Sequence, residues 1–221
     1  MQKVRIPETS VGIIGEALIQ DYDEMQRRLR DRGLLETSEI IKSGITEGTI
    51  LEIGPGPGYV GLEWLKKCQN SSLYWLEISR DMGNLAVKNA DIYKMKNKVN
   101  LNIADATKEF PFESNFFDHV FTCGSLHEWS NPVDVLNEIE RVLKVNGKFF
   151  IGDLKRNIRG LIAMVMGFNL RKKVMKDGLK SSINAAYTKS EITELFSSSK
   201  LTVFEVRENP FGLSITGRKM I

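Results

Sequence analysis

Residues Thr49 to Tyr59, TILEIGPGPGY, constrain this chain more than any other stretch. An apolar run, Thr49-Ile50-Leu51, ends in a carboxylate, Glu52. It then passes through Gly54, Gly56 and Gly58 into an amphipathic segment that starts at Tyr59. A strand that turns at once into a helix needs residues able to take positive φ, and glycine does so without a Cβ clash. The start of the helix presents unpaired N–H groups, a ready place for a ligand. Strand, turn and helix in this order form the entrance of a nucleotide-binding α/β fold. A tight turn that binds nothing is the plain alternative, disfavoured by three glycines beside an acid.

The ligand is narrowed by what the turn lacks. Pro55 and Pro57 have no N–H, so two donors that would cradle a phosphate are missing. Glu52 adds negative charge where a diphosphate would need relief from it. Both features favour a ligand bearing an ammonium and a sulfonium. Against this stands Gly56-Pro57-Gly58-Tyr59-Val60-Gly61, which satisfies the dinucleotide pattern G-x-G-x-x-G with Glu77 at a suitable distance, although it starts late relative to the strand end.

Acids recur at the ends of later apolar runs. Ser72 to Ser79 (SLYWLEIS) carries Glu77, placed to accept hydrogen bonds from ribose hydroxyls. Val99 to Ala104 leads to Asp105-Ala106, where a carboxylate can accept from an exocyclic adenine amine. Phe117 to His127 reads as a fourth strand opening onto a loop, with Gly124 and Ser125 at its mouth. Asn131 to Lys144 reads as a helix with Pro132 at its first position and Asn131 as cap. Asn146-Gly147 reads as a turn feeding a fifth strand that ends at Asp153. Acids at successive strand ends converge on one sheet edge, where such folds bind ligands.

Together these residues resemble the class I S-adenosylmethionine-dependent methyltransferases, the broad group that includes the ubiquinone and menaquinone biosynthesis enzymes. The matching pieces are Glu52 to Gly58, Glu77, Asp105-Ala106, Phe117-Asp118 through Ser125-Leu126-His127, and Arg141-Val142-Leu143-Lys144 with Gly147. The resemblance covers about residues 45 to 155. It implies a Rossmann-like, doubly wound α/β fold whose mostly parallel seven-stranded sheet has the order 3-2-1-4-5-7-6, one strand being reversed near the edge. It implies S-adenosyl-L-methionine as cofactor and S-adenosyl-L-homocysteine as product. The cofactor-binding residues carried over are Tyr22, Glu52, Gly54, Pro55, Gly56, Gly58, Glu77, Ile78, Met82, Asp105, Ala106, Gly124 and Ser125. Of these, Tyr22, Ile78 and Met82 read equally well as core contacts.

The 221 residues suit one domain. The expected divisions are a helical cap over 1–44, a cofactor-binding core over 45–153, a helical lid insertion over 154–187, and a final helix and hairpin over 188–221. Helices are expected over Gly15 to Arg32 and Thr37 to Lys42, and another over Thr188 to Ser199, capped by Thr188 or Ser190. Leu201 to Arg207 and Leu213 to Lys219 are close enough to require an antiparallel hairpin. That hairpin counts against a two-halved dinucleotide fold. A net charge of +3 gives no argument for nucleic acid. Two cysteines, Cys68 and Cys123, fit a cytoplasmic location better than a disulfide scaffold. Val11 to Ile19 is broken by Glu16 and makes a poor signal-peptide core. The longest apolar run, Gly160 to Phe168, has nine residues, short of the about 20 that span a bilayer. With the basic cluster Arg171 to Lys176 it reads as a membrane-resting or lipophile-gripping surface, or as a plain packed helix.

Methyl transfer from a sulfonium is expected to be an in-line displacement to a small, apolar or aromatic acceptor, under a lid formed by the Tyr22 helix and the 154–187 insertion. His127 is the candidate general base, or else a loop residue bonded to a backbone carbonyl. No Asp/Asp/Asn set commits itself to a metal, so none is expected. Two other functions compete: a nicotinamide-dependent oxidoreductase, and a non-catalytic S-adenosylmethionine-binding regulator.

Overall fold

In a computed structural model, residues 4–8, 15–168, 170 and 172–220 are described. Arg171, and residues 11–14 of the Val11 to Ile19 run, lie outside them. The chain begins with helices α1 (Glu16–Asp31) and α2 (Thr37–Lys42). Strands and helices then alternate: β1 (Gly48–Ile53), α3 (Tyr59–Lys67), β2 (Ser71–Glu77), α4 (Arg80–Ile92), β3 (Val99–Ile103), β4 (Phe117–Cys123), α5 (Pro132–Val142) and β5 (Leu143–Leu154). Two helices, α6 (Gly160–Phe168) and α7 (Lys173–Ala185), precede α8 (Lys189–Ser197) and the strands β6 (Val203–Glu208) and β7 (Gly212–Arg218).

The strands form one seven-stranded sheet in the order 3-2-1-4-5-7-6. The pairs β1–β2, β1–β4, β2–β3 and β4–β5 are parallel, and β7 runs antiparallel to both its neighbours. The expected order and the reversed strand are therefore both present. Consecutive strand residues are buried on opposite faces. Leu51, Val120 and Phe149 pack with α5 and α8, while Ile50, Phe121 and Phe150 pack with α2, α3 and α4. A sheet covered on both faces explains why these strands read as continuous apolar runs rather than alternating ones.

Local chemistry accounts for most boundaries. Ser79 caps α4 by accepting from the Met82 N–H at 3.3 Å. Thr188 and Glu191 form a reciprocal capping box at α8, so Thr188 rather than Ser190 is the cap. Two details differ from the sequence reading. Asn131 makes no side-chain cap on α5, although Pro132 does occupy the first turn. Asn146-Gly147 is not a turn ahead of the fifth strand, because β5 begins directly after α5. The turn chemistry appears instead inside β5. While β4 advances from Phe117 to His119, β5 advances from Leu143 to Lys148, and the surplus residues bulge out at Asn146, whose φ is 64°.

Beyond β5, the stretch read as one helical pattern is broken into α6 and α7. Among the described residues, no helix is long and apolar enough to cross a membrane.

Candidate functional site

The carboxyl ends of β1, β2, β3 and β4 share one edge of the sheet, and a cavity of about 230 Å³ opens there. Gly54 and Gly56 form its floor, with φ of 63° and 55°. A Cβ on Gly54 would stand 2.9 Å from the Ser125 Cβ, and Ser125 is held by a 2.6 Å hydrogen bond between its Oγ and Thr122 Oγ1. Thr122 in turn donates to the Ile53 carbonyl at 2.7 Å. Gly54→Ala is therefore expected to lower stability by about 1–2 kcal/mol through left-handed backbone strain alone, with crowding of Ser125 added. Thermal unfolding of the variant without ligand measures it.

Glu77 ends β2 at the cavity wall and is 6% exposed. Its Oε2 accepts from the Gly56 N–H at 3.2 Å and its Oε1 from the Ser79 N–H at 2.9 Å. One carboxylate thus ties the glycine turn to the start of α4. Burial pushes its pKa up, against the pull of those backbone donors. Ile78 and Met82 continue this wall, opposite Ala104, Asp105, Ala106 and Thr107. Asp105 Oδ1 accepts from the Thr107 N–H at 2.8 Å and hydroxyl at 2.7 Å, which fixes the carboxylate's orientation.

The cavity is also lined by Tyr22, Cys123, Gly124, Ser125, Glu128 and Trp129. Burial, and after it the Glu128 carboxylate, raise the Tyr22 pKa, so its hydroxyl stays a donor. It accepts from Gln26 Nε2 at 3.0 Å. The Cys123 thiol is pushed well up by burial and by surrounding carboxylates, which keeps it protonated and unreactive.

Ten of the residues singled out in the sequence therefore meet at one cavity: Tyr22, Gly54, Gly56, Glu77, Ile78, Met82, Asp105, Ala106, Gly124 and Ser125. Glu52, Pro55 and Gly58 do not line it. Glu52 lies on the face of β1 that packs against α3, and is 2% exposed. It accepts from Trp75 Nε1 at 2.6 Å and occupies the space where a Cβ on Gly61 would stand. Burial raises its pKa from 4.5 to about 8, so at neutral pH it is mostly uncharged. The expectation that Glu52 repels a diphosphate by charge is thus corrected, while the argument from the two prolines is unaffected. Gly58, at φ 84°, is needed for packing: a Cβ there would stand 3.0 Å from the Trp75 ring. Pro55 is buried, and its carbonyl accepts from the Gly58 N–H at 2.9 Å.

His127 has a partner, Asp153, that the sequence did not show. It is 4% exposed, and its Nδ1 lies 2.8 Å and 3.0 Å from the two oxygens of Asp153, which also accepts from the His127 N–H at 2.7 Å. Burial would lower its pKa, but the Asp153 carboxylate outweighs that and holds it up to about 9. With Nδ1 bonded to Asp153, Nε2 is the ring nitrogen left to exchange a proton or meet a ligand, and the raised pKa disfavours it as a general base near neutral pH unless something at Nε2 displaces that proton. Sequence reading missed Glu8 and Glu128. Burial raises Glu128 to about 7, with His127 pulling down and Glu8 pushing up. Glu128 adjoins His127 in sequence and could have been flagged on that ground. Nothing local marked Glu8.

Residues 51–151 match the family described as "Methyltransferase domain". An uncharacterized methyltransferase of Bacillus subtilis, YdaC, is 32% identical over 106 residues, 48% of this chain and 56% of the relative. The ubiquinone/menaquinone biosynthesis C-methyltransferase UbiE of Chromobacterium violaceum is 32% identical over 111 residues, 49% of this chain and 44% of that one. The chain thus spans about half the length of the curated relatives it matches. Among solved structures, a SAM-dependent methyltransferase from Aquifex aeolicus superposes with a TM-score of 0.71 at 20% identity, covering 93% of this chain and 98% of that one. The plantazolicin methyltransferase BpumL, solved with SAH, gives 0.70 at 15% identity, covering 91% and 92%.

Proposed function

We propose, from the match of residues 51–151 to a methyltransferase-domain family, that this chain is a class I S-adenosylmethionine-dependent methyltransferase that transfers a methyl group from that cofactor to a small-molecule acceptor. The observation that carries the reading is the joint placement of Gly54, Gly56, Glu77 and Asp105 around one cavity at the carboxyl edge of the sheet. Glu77 is placed to accept from the ribose hydroxyls and Asp105 from the adenine amine, with Ile78 and Met82 flanking the base. Gly54, Gly56 and Ser125 leave room for the amino-acid end, and the Tyr22 hydroxyl is available to its carboxylate.

The acceptor then enters beside Glu128 and Trp129, and the methyl group passes by in-line displacement. The protein's main contribution is alignment, worth up to about 7–11 kcal/mol where the reacting atoms are held close. No nucleophile or base in the chain is required for an acceptor that is already nucleophilic. The name of one relative, a quinone-biosynthesis C-methyltransferase, supports an aromatic acceptor, as does the Trp129 ring in the cavity wall. Residues 4–8 contribute to the cover as well as α1: Arg5 donates to the carbonyls of Ala185 and His127 at 2.6 Å and 3.0 Å, and its guanidinium lies 4.1 Å from the Tyr187 ring centroid.

Titration calorimetry with S-adenosylmethionine, S-adenosylhomocysteine and NAD tests the cofactor. Binding of both sulfur nucleosides and not of NAD is expected. Tight NAD binding with neither of the others would overturn the reading and restore the oxidoreductase alternative. Transfer of labelled methyl groups into metabolite pools separates an enzyme from a cofactor-binding regulator.

A further inference from the structure

We infer that Glu8, His127 and Glu128 form a binding site for a divalent transition-metal cation at the acceptor end of the cavity. One atom from each of the three residues lies within 4.8 Å of the others. Two carboxylates and one imidazole are a donor set suited to zinc, manganese or ferrous iron. Three protein ligands at the wall of a cavity leave further coordination positions open, as in catalytic rather than structural sites.

The second observation is the orientation of the histidine. His127 is 4% exposed, and its Nδ1 is taken up by both oxygens of Asp153. That bond fixes the ring and turns Nε2 toward Glu128, whose Oε1 is 4.0 Å away, too far for a hydrogen bond. A carboxylate that orients a histidine through Nδ1 while Nε2 faces other ligands is the arrangement that supports metal-bound imidazole. Without an ion, Nε2 can hold a proton in its place.

Glu8 is brought to the site by tertiary contacts. The Ile6 N–H donates to the Asn184 carbonyl at 3.1 Å, and Ser182 Oγ donates to Glu8 Oε1 at 3.1 Å, so the N-terminal segment is moored along the end of α7. This leaves the second carboxylate oxygen of Glu8 free of any hydrogen bond among the described residues. The three ligands come from two segments far apart in sequence, and for that reason no metal-binding pattern was legible there.

Glu8 and Glu128 both line the cavity, so a cation held by them would face the acceptor. Its open positions would take an oxygen donor, which points to an acceptor bearing an ionisable hydroxyl or a carboxylate. That ligand class rests on the methyl-transfer reading, whereas binding of the ion does not.

The test uses the full chain stripped with chelator and titrated with Co²⁺, followed by visible absorption, with Zn²⁺ as competitor. One equivalent of bound cobalt, displaced by zinc, is expected. Glu8→Gln keeps the acceptor for Ser182 and is expected to weaken binding at least about tenfold while S-adenosylhomocysteine affinity stays within about twofold. Asp153→Asn, which keeps one oxygen for the neighbouring backbone N–H groups but weakens the bond that orients the ring, is expected to weaken it about ten- to hundredfold. No stoichiometric binding, or cobalt affinity unchanged from wild type in both Glu8→Gln and Glu128→Gln, overturns the site. So does a thiolate-to-cobalt band abolished by replacing Cys68 or Cys123, because the ion would then lie elsewhere. A chain that binds S-adenosylhomocysteine but no cobalt removes the metal site alone. The reverse result removes the methyl-transfer reading alone.

Discussion

Glu52→Gln is expected to stabilise the fold by about 2–5 kcal/mol at pH 8 and by much less at pH 5, as read from urea midpoints of variant and wild type. The effect follows from where β1 places this carboxyl. It sits 2% exposed between Trp75 and Gly61, where burial raises its pKa from 4.5 to about 8. The folded state therefore holds its proton more tightly than the unfolded chain. The stability this contributes is complete below about pH 4.5 and is lost as the pH rises through about 8. Glutamine keeps an oxygen for the Trp75 indole N–H but has no proton to lose. A difference between the two proteins that does not change from pH 5 to pH 8 would show that Glu52 is ionised in the fold.

Glu77→Gln is expected to weaken S-adenosylhomocysteine binding about 10- to 100-fold, since hydrogen bonds to a charged acceptor contribute about 1.5–3 kcal/mol. The carboxylate has four lone-pair directions, and the Gly56 and Ser79 N–H groups, with the Ile78 N–H beside them, take up part of that capacity. Glu77 lines the cavity, and the remaining capacity would suit ribose hydroxyls bound there. Glutamine offers one oxygen in place of two, so the turn and the ribose compete for it. Because burial raises the Glu77 pKa, wild-type affinity is also expected to fall at acid pH earlier than an ordinary carboxylate would dictate. Calorimetry across pH reads both effects. Unchanged affinity in Glu77→Gln, with the fold intact, would remove Glu77 from the cofactor site.

The two carboxylates close successive strands, yet their environments differ because of a half-turn of strand. Glu77 is the last residue of β2 and projects over the sheet edge, whereas Glu52 lies one residue inside the end of β1. There it pairs in register with Trp75, under α3. In the amino-acid sequence both look alike: an acid following an apolar run and preceding a turn. A strand buried on both faces gives no alternation from which the direction of a side chain could be read.

What the sequence determined by itself was local in origin. Apolar runs alternating with amphipathic segments dictated a parallel sheet. Glycines at 54 and 56 dictated the turn, and acids at 77 and 105 pointed to the edge where the cavity opens. A short hairpin at the carboxyl terminus dictated the reversed strand. Tertiary structure alone decided the protonation of Glu52, the pairing of His127, in the loop after β4, with Asp153 on β5, and the arrival of Glu8 beside Glu128. Each of these depends on desolvation and on charges brought together by chain segments that are distant in sequence. Such terms arise only after packing has removed water.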